Sequence, residues 1–175
     1  GLNWEFYDEY YTKFLYGQAF RAPYFVDLYH PAWGNPTLKN ETEDTFELSV
    51  GANCHPLSIQ VTGFYNTLED AATLSQDSSA GYLRYQYINA DSTKSYGAEL
   101  QMKYDFGRGS YLSMNYTQMN IDIGDSGADI WMEPTRLGTL TGNVRLNRYL
   151  NLNAQLLYRG GWHREDGDPR EDLSD

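Results

Sequence analysis

From residue 96 to 106 the chain alternates strictly. Tyr96, Ala98, Leu100, Met102, Tyr104 and Phe106 fill the even positions, and Gly97, Glu99, Gln101, Lys103 and Asp105 the odd ones. A strand sends successive side chains to opposite faces, so this pattern predicts a strand with one apolar and one polar face. Phe46, Leu48, Val50 and Ala52 stand in the same way against Glu47, Ser49, Gly51 and Asn53. So do Leu57, Ile59 and Val61 against Ser58, Gln60 and Thr62, and Leu140, Val144 and Leu146 against Thr141, Asn143, Arg145 and Asn147. From Leu150 to Tyr158 the rule holds with one exception, Leu157. The predicted strands span 12–20, 44–53, 57–68, 83–106, 111–121, 138–147 and 150–162, with residues 1–4 as the end of a preceding strand.

The connections decide what the apolar face meets. Residues 53–56, 107–110 and 148–150 are tight turns, and residues 21–42, 69–94 and 124–136 are long polar loops. A soluble sandwich would turn its apolar faces to a core. Strict alternation of short and long connections gathers all the loops at one end of the sheet. That is the layout of membrane β-barrels, with short periplasmic turns and long extracellular loops. The expected fold is all-β: an antiparallel transmembrane barrel segment of about seven to eight strands, with a polar face toward a wet or plugged lumen.

Composition narrows the reading. Lys and Arg number 13 against 24 Asp and Glu, for a formal charge of −11. An acidic chain of this kind lacks the basic face of a nucleic-acid binder. Aromatic residues make up 15% of the chain, including 16 Tyr, a load that suits two aromatic girdles at membrane boundaries. Mean hydropathy is −0.64; alternating strands average out on such a scale, so the value does not exclude a membrane. The single cysteine, Cys54, rules out an internal disulfide. Cys54-His55 is an isolated pair, and two ligands do not make a metal site. No nucleophile elbow, phosphate loop or zinc-protease motif is present, so catalysis, a resident metal and a cofactor are not expected.

One segment carries a family pattern. Tyr16-Gly17-Gln18-Ala19-Phe20-Arg21-Ala22-Pro23 leads to Asp27-Leu28-Tyr29, then Gly34-Asn35-Pro36, Leu38-Lys39 and Glu41, and into a strand that opens Phe46-Glu47-Leu48. This resembles the barrel of TonB-dependent receptors, with Asp27 in place of the usual Glu and Asn40 in place of the usual Pro. Phe64-Tyr65-Asn66 through Asp70, Ile88-Asn89-Ala90, and Tyr96-Gly97-Ala98-Glu99-Leu100 resemble the same family's later strands in the right order. The resemblance implies a barrel of about 22 strands around an N-terminal plug, in the bacterial outer membrane. It implies import of a ferric siderophore, haem or cobalamin, driven through the TonB complex. Residues 1–175 are then expected to be part of that barrel domain, with the plug, the TonB box and the last strands lying outside them.

Within the motif, Phe20, Arg21, Pro23, Gly34, Asn35, Pro36, Glu41, Gly97 and Glu99 are read first as structural. Proline and Gly-Asn serve chain reversal, and Arg21 is placed to pair with Glu41 or Glu43. Direct ligand contact is the other reading. Candidate ligand-binding residues in the outer loops are Arg21, Tyr29, His30, Trp33, Trp131, Arg136, His163 and Arg164, because aromatic groups with a few cations can hold a chelate or corrin ring by stacking and charge. The competing reading is a girdle at the outer lipid boundary, preferred for Tyr158 and Trp162 and left open for His30 and Trp33. Loop carboxylates such as Asp122, Asp125 and Asp129 are read as a solvated surface. Two other functions remain: a small structural or adhesive barrel of about eight strands, and a soluble binding module.

Overall fold

The computed structural model describes residues 1–77, 84–90, 92–123 and 134–161. Their elements are β1 (Leu2–Phe6), β2 (Tyr10–Arg21), α1 (Phe25–Tyr29), β3 (Glu41–Cys54), β4 (Leu57–Glu69), β5 (Ala72–Asp77), β6 (Arg84–Asn89), β7 (Thr93–Gly107), β8 (Ser110–Ile123), β9 (Arg136–Arg145) and β10 (Asn151–Gly160). Eight strands make one antiparallel sheet in the order β1-β2-β3-β4-β7-β8-β9-β10, while β5 and β6 form a separate hairpin. The order is sequential apart from that hairpin. The sheet is open, with β1 and β10 at opposite edges.

Register carries the predicted faces across every strand. Val50, Val61, Leu100 and Tyr116 lie side by side on β3, β4, β7 and β8. One residue along, on the opposite face, stand Ser49, Thr62, Glu99 and Thr117. A slip of one residue would exchange the two sets, so the pattern fixes the pairing.

The packing is inverted relative to a water-soluble protein. Among the described residues no hydrophobic side chain is buried, and the buried polar ones are Asp27, Glu41, Ser49, Thr62 and Asn143. Leu48 is 55% exposed and Leu156 65% exposed. Much of the polar face is hydrogen-bonded within itself. Ser49 and Thr62 share a hydroxyl–hydroxyl hydrogen bond of 2.8 Å, and the Tyr11 hydroxyl donates to Gln60 Oε1 at 2.8 Å. Asn143 donates to the Gly109 carbonyl at 2.6 Å and accepts from Asn151. Apolar side chains facing outward from a sheet with no second layer are what lipid requires.

That outer face is banded. Tyr16, Phe46, Tyr65 and Tyr96 are register neighbours on β2, β3, β4 and β7. Just beyond them toward the loops run Gln18, Asp44, Thr67 and Lys94. On β8 and β10 the same polar-to-aromatic step falls at Gln118/Tyr116 and Gly160/Tyr158, and between those tyrosines β9 places Gly138. A Cβ on Gly138 would lie 3.3 Å from the Tyr158 side chain, so the glycine leaves room for the ring. Near the opposite end of the strands Phe6 stacks on Tyr10 across β1 and β2, and Tyr104 meets Phe106 on β7. The two bands are the girdles of a membrane barrel.

Two details differ from the sequence reading. The predicted strand 83–106 is broken: residues 84–89 pair with β5, and the sheet strand begins at Thr93. Alternation continues through both pieces, so it does not reveal that they belong to different sheets. The loop after β2 contains α1, whose five residues are too few for a helical period to show. The strand expected at residues 1–4 is present as β1, which runs on to Phe6 and joins β2 through Tyr7 and Asp8, both in the left-handed region.

Candidate functional site at the base of the outer loops

Arg21 and Glu41 end and begin adjacent strands and face each other in register. Both guanidinium arms engage the carboxylate: Nε donates to Oε2 at 2.9 Å, and the terminal nitrogen donates to Oε1. Glu41 is buried, and its Oε1 also accepts the Ala72 backbone N–H at 3.0 Å. One carboxylate therefore ties β2 and β3 to the start of the next outer hairpin. Of the two partners considered for Arg21, the structure selects Glu41.

The loop between β2 and β3 is built from the motif residues. Asp27 is buried; its carboxylate accepts the Tyr24 N–H at 3.1 Å, and its carbonyl accepts the Asn35 N–H at 2.7 Å. Gly34 donates to the His30 carbonyl at 2.9 Å. A Cβ on Gly34 would run into the His30 backbone nitrogen and lie 2.7 Å from the His30 carbonyl oxygen, so only glycine fits this turn. Asn35 Oδ1 accepts from the Thr37 N–H and hydroxyl at 3.0 and 2.6 Å, and its amide donates to the Tyr87 carbonyl at 2.9 Å.

A second set of bonds joins this loop to the β5–β6 hairpin. Tyr87 N–H donates to the Trp33 carbonyl at 3.0 Å. Asn89 accepts the Lys39 N–H at 2.9 Å, and its amide donates to the Asp70 and Lys39 carbonyls at 2.6 and 3.2 Å. Lys39 pairs with Asp70 at 3.2 Å. Asn89 was not singled out in the sequence. Its place in the Ile88-Asn89-Ala90 triplet of the family pattern, inside the predicted strand 83–106, is the signal that pointed there.

The candidate ligand residues fall into three groups. His30 and Trp33 stack at 3.5 Å between ring centroids and 9° between planes, and the Ala32 N–H donates to His30 Nδ1 at 3.2 Å. Tyr29 packs against Phe25 at 4.9 Å. Phe25 is 79% exposed and Tyr29 57%, so α1 presents an aromatic patch above the sheet. Arg21 belongs to the pair with Glu41, its guanidinium 5.5 Å from the centre of the Tyr24 ring. Arg136 opens β9 opposite Gln118 and Gly160, at the polar upper end of the lipid-side face rather than in a loop. Trp131, Trp162, His163, Arg164, Asp125 and Asp129 lie outside the described residues. The structure thus brings His30, Trp33 and Tyr29 into one loop and does not join them to Arg136.

Gly97 and Glu99 sit on the lumen side of β7. A Cβ on Gly97 would meet the Gln118 carbonyl oxygen and would lie 2.8 Å from the Phe64 ring. Glu99 stands between Thr62 and Thr117. At the opposite end of the sheet Cys54 donates to Glu9 Oε2 at 3.4 Å. No group of three metal-ligating side chains occurs among the described residues.

The outward apolar face, the girdles and the loop asymmetry define a wall of an outer-membrane β-barrel. The profile of the family described as TonB dependent receptor-like, beta-barrel, matches residues 1–170, and the chain belongs to that family. It is 28% identical over 146 residues to the vitamin B12 transporter BtuB of Photobacterium profundum, covering 82% of this chain and 24% of that protein. It is 31% identical over 91 residues to BtuB of Vibrio vulnificus, covering 52% of this chain and 14% of that one. The chain therefore spans at most a quarter of the length of these relatives. Among solved structures, a mutant of the ferric enterobactin receptor PfeA of Pseudomonas aeruginosa superposes with a TM-score of 0.76 at 17% identity, over 98% of this chain and 30% of that one. The copper transporter OprC superposes at 0.61 with 15% identity, over 78% and 22%. At such identities these two likenesses concern the fold.

Proposed function

We propose that this chain is part of the barrel wall and outer mouth of a receptor that imports a scarce chelate across the outer membrane, rather than an enzyme. The ligand classes are a ferric siderophore, haem or cobalamin. In this reading an N-terminal plug elsewhere in the full protein fills the lumen, and the TonB complex supplies the energy. Kinship with vitamin B12 transporters makes cobalamin the first ligand to test. The observation that supports the reading best is the inverted sheet crowned by a braced loop. Lipid-facing residues are apolar, lumen residues are polar, and the loop above them holds Tyr29, His30 and Trp33 on a hydrogen-bonded frame. A rigid aromatic platform is suited to a flat or bulky chelate, because little ordering remains to be done on binding. The alternative of a small closed barrel of about eight strands is disfavoured, because β1 and β10 do not pair.

The test is growth rescue. A strain deleted for its own uptake receptors, carrying the full-length protein, is grown with cobalamin, haem or ferric siderophores as the limiting supply. One class should restore growth, and Trp33→Ala with Tyr29→Ala should raise the concentration needed about tenfold or more, the scale of one lost anchor of 1–2 kcal/mol. Normal uptake by that double variant would remove the loop from the ligand site. Failure of every ligand with a folded receptor would remove the transport reading.

A further inference from the structure

The lipid-side face carries a hollow of about 650 Å³ between β3, β4 and β7. Gly63 and Ala98 are register neighbours and form its floor. Phe46, Tyr65 and Tyr96 wall its upper end, and Leu48 one flank. A Cβ built on Gly63 meets nothing within 4 Å, so the depression is open rather than filled by a neighbouring ring. This contrasts with Gly138, where two tyrosines close over the missing side chain. The far flank is polar: Gln118 and Asn120 stand opposite Ala98 and Tyr96 on β8, and both are exposed.

We propose that this hollow is a seat for one acyl chain of an outer-leaflet membrane lipid, with the carboxamides of Gln118 and Asn120 meeting the ester linkage at its head. The face already confronts lipid, so the occupant is a lipid on grounds of location. Chemistry points the same way: an apolar floor lies beneath aromatic walls at the depth of the outer girdle, with hydrogen-bonding amides on one flank at that height. A methylene chain fits an apolar trough by contact area alone. An ester at the girdle needs donors that the hydrocarbon region itself does not offer. The inference rests on the barrel and its orientation, and not on which ligand the receptor imports.

The test uses the full-length receptor in nanodiscs of phosphatidylcholine doped with phosphatidylglycerol that carries a diazirine on one acyl chain. After illumination, labelled peptides are mapped by mass spectrometry. Label should concentrate several-fold on the peptides holding Gly63 and Ala98, relative to the one holding Leu156. That leucine is the fair comparator, since it too lies one apolar position below its girdle tyrosine, Tyr158. Gly63→Leu with Ala98→Leu should abolish the excess while leaving label at Leu156 unchanged. Retention of the heat-sensitive fast-migrating band on a gel shows that the variant is folded. If the pair does not fold, Ala98→Leu alone should halve the excess or better. Uniform labelling along the face, or an excess that survives the filled hollow, would overturn the proposal.

Discussion

Leu100→Arg tests the inverted packing at its most sensitive point. Leu100 stands between Val61 and Tyr116 on the lipid-side face. Tyr96 and Tyr104 flank it four residues away on either side. At about 3.3 Å per residue each lies roughly 13 Å along the strand. With strands tilted about 40°, that is about 10 Å of depth to each girdle. On its own strand Leu100 is therefore midway between the girdles, and with the boundary lower at its β8 neighbour Tyr116 an arginine there should cost about 2 kcal/mol, the lower end of the midplane range for the lipid face of a barrel. Gln101, the next residue, faces the lumen, and Gln101→Arg should cost within about 0.5 kcal/mol. Tyr96→Arg, at the boundary, should fall near 0–1 kcal/mol for its charge. The measurement is a urea or guanidinium titration of the full-length receptor folding into short-chain phosphatidylcholine vesicles, followed by the gel shift between folded and unfolded forms. The expected order is 100 well above 96, with 101 lowest. Equal losses at 100 and 101, or a larger loss at 101, would refute the assignment of faces.

Other predictions concern the loop frame. Asn89→Ala removes two hydrogen bonds that join the two outer loops and a third, to the Asp70 carbonyl, within its own loop, and at about 1 kcal/mol each the loss should raise proteolysis of residues 22–40 sharply. Membrane insertion of that variant should be unchanged, and resistance equal to wild type would show that the brace is idle. Arg21→Ala strands the buried Glu41 carboxylate, whereas Glu41→Gln leaves an exposed guanidinium that water can solvate. The first should therefore loosen the loop more than the second, as read by amide hydrogen exchange at Ala72. Gly34→Ala sets a methyl group against the His30 backbone, and it should lower ligand affinity as strongly as Trp33→Ala does.

Much of the sheet was legible because one physical rule, period two, governs both local geometry and the face each residue shows. Val50, Val61 and Leu100 could be assigned to lipid before their pairing was known. What the pattern does not carry is membership. Tyr85 and Tyr87 alternate as well as Tyr96 and Ala98 do, yet they belong to a hairpin whose partner is β5. The break is made by Asn89 and by the Ala90 N–H donating to the Ala71 carbonyl at 2.7 Å. A side chain bonding to distant backbone leaves no periodic trace. Arg21 and Glu41 were legible as a pair because they bracket one loop, but the third partner, the Ala72 N–H, lies in another loop. Arg136 shows the opposite failure. It looked like a loop cation, and its parity on β9 places it on the lipid-side face, because the polar boundary sits lower on β8 and β9 than on β3.

The alternation that builds the two faces also governs how such a chain can travel. Among the described residues no helix is long and apolar enough to cross a membrane, and the apolar residues of β7 are never adjacent. An exported polypeptide with the same side chains in one run of about 18 or more would be recognised as a membrane helix and held in the first bilayer it entered. Spaced at every second position they read as hydrophilic on average, so the chain passes through that bilayer and the watery compartment beyond. Its greasiness emerges only when the strands pair.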